Sequence, residues 1–240
     1  MLEKLKIKIF ADGADLENIK SLSNKTCIKG FTTNPSLMRK KGVSDYKNFA
    51  FEVLKVSQNK PVSFEIFADD LAEMERQAIE ISKWGDNVNV KIPVTNTKGE
   101  STKDLIATLS KKKIVCNITA ILTIEQLNTI VNVLDSETPA ILSIFAGRIA
   151  DTGINPSPIM AEAVKIAKNK PKSEILWAST RELFNIFQAE NNGCQIITIS
   201  HDIINKFHFL GKDLTKLSLE TVHTFYKDAN LAGFKIDIND

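Results

Sequence analysis

Eight short strand-like runs, each followed by a stretch with helical spacing, constrain this chain more than anything else in it. The runs are 6–12 (KIKIFAD), 27–31, 62–67 (VSFEIF), 87–93 (NVNVKIP), 114–119 (IVCNIT), 139–145 (PAILSIF), 174–179 (EILWAS) and 195–200 (QIITIS). Helical patterns lie at 15–21, 45–57, 71–84, 101–111, 123–134 and 159–168, after Arg181, and near 201–208 and 215–230. Strands that alternate with helices pair in parallel and bury both faces. Eight such units predict an α/β protein: one parallel (β/α)8 barrel domain over residues 1–240, with an extra C-terminal helix. A doubly wound open sheet is the alternative. The length suits one such domain, and neither low-complexity linkers nor short repeats interrupt it.

In 87–93, Val88, Val90 and Ile92 share one face while Asn89 and Lys91 share the other. On a central strand of a helix-covered sheet Lys91 points into the interior, where desolvation disfavours its ammonium form. A lysine held partly neutral attacks a carbonyl to form a Schiff base. The bland alternative is a lysine that snorkels to the strand end and pairs with a carboxylate. Other strands bring polar residues to the same face near their ends: Asp12, Asn34, Glu65, Asn117, Thr119, Ser143, Ser179 and Ser200. The C-terminal strand ends are where barrels of this kind build active sites.

Residue types then suggest roles. An iminium on Lys91 is an electron sink that lets a carbon–carbon bond break, and this needs an acid/base, for which Asp12 and Glu65 are candidates. Glu65 lies beside Phe64 and Phe67 in sequence, so a raised pKa is expected if they desolvate it. Asn34, Asn117 and Ser143 suit the hydroxyls of a polyol; Asn34, before Pro35, also suits a helix cap. The chain has four arginines against twenty-seven lysines, so each arginine asks for a reason. Arg39 and Arg76 fall in helical stretches and read as surface residues. Arg148 and Arg181 follow strands and suit a phosphate, since guanidinium offers planar paired donors.

Composition removes several other classes. A net charge of +2 with evenly spread lysines and acids gives no nucleic-acid or polybasic membrane surface. The start of the chain carries charges where a signal peptide would be apolar, and no apolar run approaches a membrane span. Cys27, Cys116 and Cys194 are odd in number and read as buried free thiols in a reducing cytoplasm. No phosphate-loop, dinucleotide or zinc motif occurs, so neither metal nor cofactor is called for. His201 and His208, seven apart, read as surface or capping residues.

The chain resembles the transaldolase family, class I aldolases of the (β/α)8 type, over nearly its whole length. The resemblance rests on the Asp12 strand end, Thr32-Thr33-Asn34-Pro35-Ser36, Glu65 in S-F-E-I, and Val90-Lys91-Ile92-Pro93. It continues through Asn117-Ile118-Thr119-Ala120, Ser143, Phe145-Ala146-Gly147-Arg148-Ile149 and Ala178-Ser179-Thr180-Arg181. It implies Lys91 as the Schiff-base lysine and Asp12 as the acid/base on the substrate hydroxyl. Glu65 and Thr119 would position the catalytic water. Thr32, Asn34, Asn117, Ser143 and Phe145 would contact the dihydroxyacetone part, while Arg148, Ser179 and Arg181 would bind phosphate. A cytoplasmic homo-oligomer acting on sugar phosphates is expected. Fructose-6-phosphate aldolases, which release free dihydroxyacetone, resemble a pattern with Gln at position 65 and Tyr at 145; this chain has Glu65 and Phe145. That favours transfer between sugar phosphates, with lyase activity as the alternative and a non-catalytic sugar-phosphate barrel as a third reading. Gly13, Thr180 and the 151–158 connection depart from the usual pattern.

Overall fold

A computed structural model describes residues 2–236. Eight parallel strands close in sequence order: β1 Lys8–Asp12, β2 Ile28–Thr32, β3 Val62–Glu65, β4 Val88–Pro93, β5 Cys116–Ile121, β6 Ala140–Ile144, β7 Ser173–Trp177 and β8 Ile196–Ser200. Closure of β8 onto β1 sets Asp12 beside Ser200 and decides for the barrel over the open sheet. The helices are α1 Leu16–Ser23, α2 Pro35–Lys40, α3 Tyr46–Val56, α4 Leu71–Ile81, α5 Lys103–Lys111, α6 Ile124–Val133, α7 Ala146–Asp151, α8 Ser157–Ala167, α9 Asn185–Asn191, α10 His201–Ile204 and α11 Leu214–Leu231.

Local chemistry starts many of these helices. Asp15, Asp45, Asp70 and Asp213 accept the backbone N–H three residues on, each satisfying an amide that the first turn leaves without a partner. Asn34 does the same for α2, with Pro35 at the first helical position. Thr123 and Gln126 form a reciprocal capping box on α6.

Two apolar layers follow from strand alternation. The outward residues pack under the helices in one large cluster. The inward ones form a small plug of Phe10, Ile141, Leu176, Ala178 and Ile196, with Phe145 above it. The far edge of the Phe10 ring packs against Gly30, where a Cβ would meet it at 2.6 Å. The plug fills the barrel floor and leaves the polar positions to the C-terminal half.

Several sequence expectations change in detail. β5 runs on to Ile121 through a register shift between Ile118 and Ile121, where Ala120 is left-handed (φ 60°). That bulge keeps Thr119 inward while returning Ile121 to the outer cluster. Ser179 is not an inward strand residue: β7 faces Leu176 and Ala178 inward, and Ser179 lies past the strand at φ 63°. Helix α7, for which no helical pattern is read in the sequence, starts directly after β6 and is only six residues long. His201 and His208 share no continuous helix, because α10 gives way to a 3₁₀ turn at Asn205–Phe209. Phe64 turns outward against Tyr46 and Trp84, and Phe67 is half exposed, so the two rings do not enclose Glu65. Cys116 and Cys194 are buried free thiols whose pKa values burial pushes up to about 12, while Cys27 is only partly buried.

Candidate active site

Strand register puts Glu65 beside Lys91 and Lys91 beside Asn117, so three adjacent strands bring these side chains to one level of the barrel. Lys91 is 8% exposed. Its Nζ donates to Glu65 Oε2 at 3.0 Å and to the Thr33 carbonyl at 3.1 Å. The inward orientation and the carboxylate pairing, set out above as alternatives, therefore occur together. Thr33 is fixed by its own hydroxyl, which donates to the Ser63 carbonyl at 2.9 Å.

Asp12 forms the second centre. Its Oδ1 accepts from Thr32 Oγ1 at 2.8 Å and its Oδ2 from Asn34 Nδ2 at 3.1 Å. Having given its one proton to Asp12, the Thr32 hydroxyl accepts from Thr198 Oγ1 at 2.6 Å. Asn34 uses its other end, Oδ1, to cap α2 through Leu37 N, so the cap and the site contact are one side chain doing both. Burial raises the Asp12 pKa, which Lys91 and the Thr32 and Asn34 hydrogen bonds lower only in part; the Glu65 charge raises it further. Asp12 thus takes a proton more readily than a free aspartate.

A buried chain of hydrogen bonds forms the third part. Ser143 Oγ donates to Asn117 Oδ1 at 2.6 Å, and Asn117 Nδ2 donates to Ser63 Oγ at 2.9 Å. The bulge in β5 leaves the Thr119 hydroxyl oxygen buried with no hydrogen-bond partner among the described residues. A buried hydroxyl without a partner is costly, so its place at the mouth marks a position for a ligand or water.

The rim carries the arginines. Arg148 lies over the Phe145 ring, 5.3 Å from its centroid. Arg181 donates through Nη1 to the Ser179 carbonyl at 2.8 Å and to Ser179 Oγ at 3.1 Å. Its Nε donates to Asp151 Oδ1 at 2.9 Å, and its Nη2 to Asp151 Oδ2.

The twelve residues singled out in the sequence fall into three groups, apart from Thr119, whose buried hydroxyl has no partner among the described residues. Lys91, Glu65, Asp12, Thr32 and Asn34 form the Lys91–Asp12 end, Asn117 and Ser143 bond to each other, and Arg148 with Phe145 and Arg181 with Ser179 occupy the rim. Four further residues complete the site without having been singled out. Ser63 and Thr198 share inward faces with Glu65 and Ser200, so alternation could have found them. Tyr46, from α3, donates its hydroxyl to the Glu65 carbonyl at 2.9 Å, and burial holds that phenol above its usual range. Neither Tyr46 nor Asp151 has a signal in local pattern, because each meets its partner through tertiary packing. Among the described residues, no group of three or more His, Cys, Asp or Glu side chains could hold a metal ion.

The match to known proteins is extensive. The model of the transaldolase/fructose-6-phosphate aldolase family matches residues 9–240. The chain belongs to this family. Relatives of the transaldolase/fructose-6-phosphate aldolase type include a probable transaldolase of Dehalococcoides mccartyi, 34% identical over 199 residues, covering 82% of this chain and 88% of the relative. A probable transaldolase of Nitrosopumilus maritimus is 32% identical over 225 residues, or 92% of this chain and 94% of the relative. A third, from a Thermoanaerobacter species, is 32% identical over 232 residues and is covered in full. Family membership and the barrel agree with the resemblance read from the motifs.

Proposed function

We propose that this protein transfers a dihydroxyacetone unit from a ketose phosphate to an aldose phosphate, holding it between the half-reactions as a Schiff base on Lys91. The observation that carries the reading is a buried amine 3.0 Å from one carboxylate, in the field of a second carboxylate whose pKa is raised. Glu65 takes a proton from the ammonium, and the neutral amine attacks the ketone. Loss of water from the carbinolamine needs that proton back, and the unpartnered Thr119 hydroxyl with Glu65 suits the departing water. Asp12 takes the proton of the hydroxyl beside the breaking carbon–carbon bond, a task matched to its raised pKa. The iminium receives the electrons of the breaking bond, the task that a carbonyl polarised by a divalent metal performs in other aldolases.

Binding follows from the remaining groups. Thr32, Asn34, Asn117 and Ser143 hold hydroxyls of the dihydroxyacetone part; Arg148, Ser179 and Arg181 hold the phosphate of the sugar. Phe145 favours transfer over release. It sits above the apolar plug and offers no hydroxyl proton to the enamine carbon, so the enamine survives until an acceptor aldehyde arrives.

Small sugar phosphates are the partners in this reading, and the reaction takes place in the cytoplasm. Among the described residues no helix is long and apolar enough to cross a membrane. The protein assembles as a homo-oligomer. The support is α11, which buries none of its residues yet presents Leu219, Val222, Phe225 and Tyr226, each more than half exposed.

Product analysis of a ketose phosphate with and without an aldose phosphate acceptor tests the function. Turnover should be slow alone and faster with acceptor. Equal release of free dihydroxyacetone in both would make the enzyme a lyase, and no cleavage with any ketose phosphate would leave only a binding barrel.

A further inference from the structure

The Arg181 guanidinium is almost fully engaged by the protein itself. It has five N–H donors. Both on Nη1 are spent on Ser179, and Nε and one Nη2 hydrogen meet the two oxygens of Asp151. One donor remains. A phosphate held bidentately needs two parallel donors, so it cannot be gripped by Arg181 in this arrangement. Something must let go.

The two sets of partners are not equally easy to release. Ser179 is locked: Gly147 at the start of α7 lies so close that a Cβ there would meet the Ser179 carbonyl oxygen at 1.6 Å, and Ser179 is itself left-handed. Asp151 is not locked. It closes α7, its side chain is 53% exposed, and that of Arg181 is 45% exposed. Both partners are open to solvent and to competing anions, although the bidentate geometry places the pair among the stronger exposed ones. The Arg148 charge also acts on Asp151, so the carboxylate stands in the field of both rim arginines.

We propose that Asp151 is an electrostatic latch on the phosphate site: it occupies Arg181 until a phosphate dianion displaces it into solvent. A doubly charged phosphate gains more from two arginines than the singly charged carboxylate it replaces, so it can open the pair. Opening costs the same whichever anion enters, so Asp151 lowers the affinity of every anion that uses Arg181 by one common factor. This inference rests on the reading of Arg148 and Arg181 as the phosphate site.

Steady-state kinetics of Asp151→Asn and Asp151→Ser tests it, with inorganic phosphate, inorganic sulfate and acetate as competing anions. In both variants KM for a ketose phosphate and the inhibition constant of inorganic phosphate should fall about two- to five-fold, the range of an exposed ion pair. The change should fall on KM rather than kcat, and inhibition by sulfate and acetate should strengthen by about the same factor as that by phosphate. A rise in KM and in the phosphate inhibition constant would show that Asp151 buttresses Arg181, and would overturn the latch, as would no change in either. Arg181→Ala separates the two levels: if it leaves phosphate inhibition as in the parent, the phosphate reading itself fails.

Discussion

Replacing Lys91 by Met removes the amine and keeps a side chain of similar length, so its effects can be worked from the contacts. Lys91 Nζ sits 3.0 Å from Glu65 Oε2, with side chains only 10% and 16% exposed. At an effective dielectric constant of about 20, unit charges at that separation attract by roughly 5–6 kcal/mol, much of it offset by desolvation in forming the pair. Deleting one partner leaves the other buried without its counter-charge, which costs about 3–5 kcal/mol. The cost should depend on pH through Asp12. Its folded pKa is already raised above the reference value of 3.8, and Lys91 is the largest influence holding it down. Without Lys91 it rises further. A carboxyl with a raised folded pKa contributes stability below its unfolded pKa and loses it as pH rises through the folded value. The gap between parent and Lys91→Met should therefore be small below about pH 4 and widen toward neutrality. Urea denaturation at acid and neutral pH measures the gap, and borohydride treatment with a ketose phosphate, read by intact mass, measures the adduct. A loss below about 1 kcal/mol at neutral pH, or the same loss at both ends, would refute the electrostatic argument. An adduct persisting in the variant would refute the Schiff-base assignment separately.

Gly147→Ala should destabilise by about 1–3 kcal/mol or more, since its Cβ cannot coexist with the Ser179 carbonyl oxygen; the melting temperature should fall by about 2–4 °C per kcal/mol. It should also raise KM for phosphorylated substrates, because moving Ser179 moves the Nη1 side of Arg181; a stable variant with unaltered KM would show that the α7–Ser179 contact holds nothing in place. Val222→Asp with Phe225→Asp should shift the mass measured by sedimentation equilibrium toward the 26.7 kDa of one chain; an unchanged mass would remove α11 from the subunit contact.

The parts of this molecule that were legible in the sequence share a physical basis. Alternation reports which way a side chain points as long as the backbone stays extended, and β4 stays extended from Val88 to Pro93. Lys91, Glu65 and Asn117 were therefore placed on one face correctly, and closure in strand order turned a shared face into adjacent positions. Asn34 was legible as a helix cap, since Asn before Pro is a helix start; the contact of its other end with Asp12 came only from the structure. Alternation fails at Ala120, where a left-handed residue reverses the facing of whatever follows; Ser179, also left-handed, falls on the opposite parity from the inward Leu176 and Ala178. Neither is glycine, so composition gave no warning.

The rim was harder to read for a different reason. Its geometry depends on α7, a helix too short to show periodicity, and on one glycine whose close approach to Ser179 depends on how two strand–helix units pack. Arg181 could be proposed for a phosphate by type, but its pairing with Asp151 and Ser179 could not be read. That distinction changes the chemistry expected of the site. An open arginine would bind any anion in proportion to its charge, and abundant small anions would compete with substrate at every turn. In the latch proposed above, an arginine held by Asp151 imposes an exchange that lowers the affinity of every anion by the same factor. The motif suggests Arg181 for the phosphate; the pairing with Asp151 sets how tightly such a group would be held.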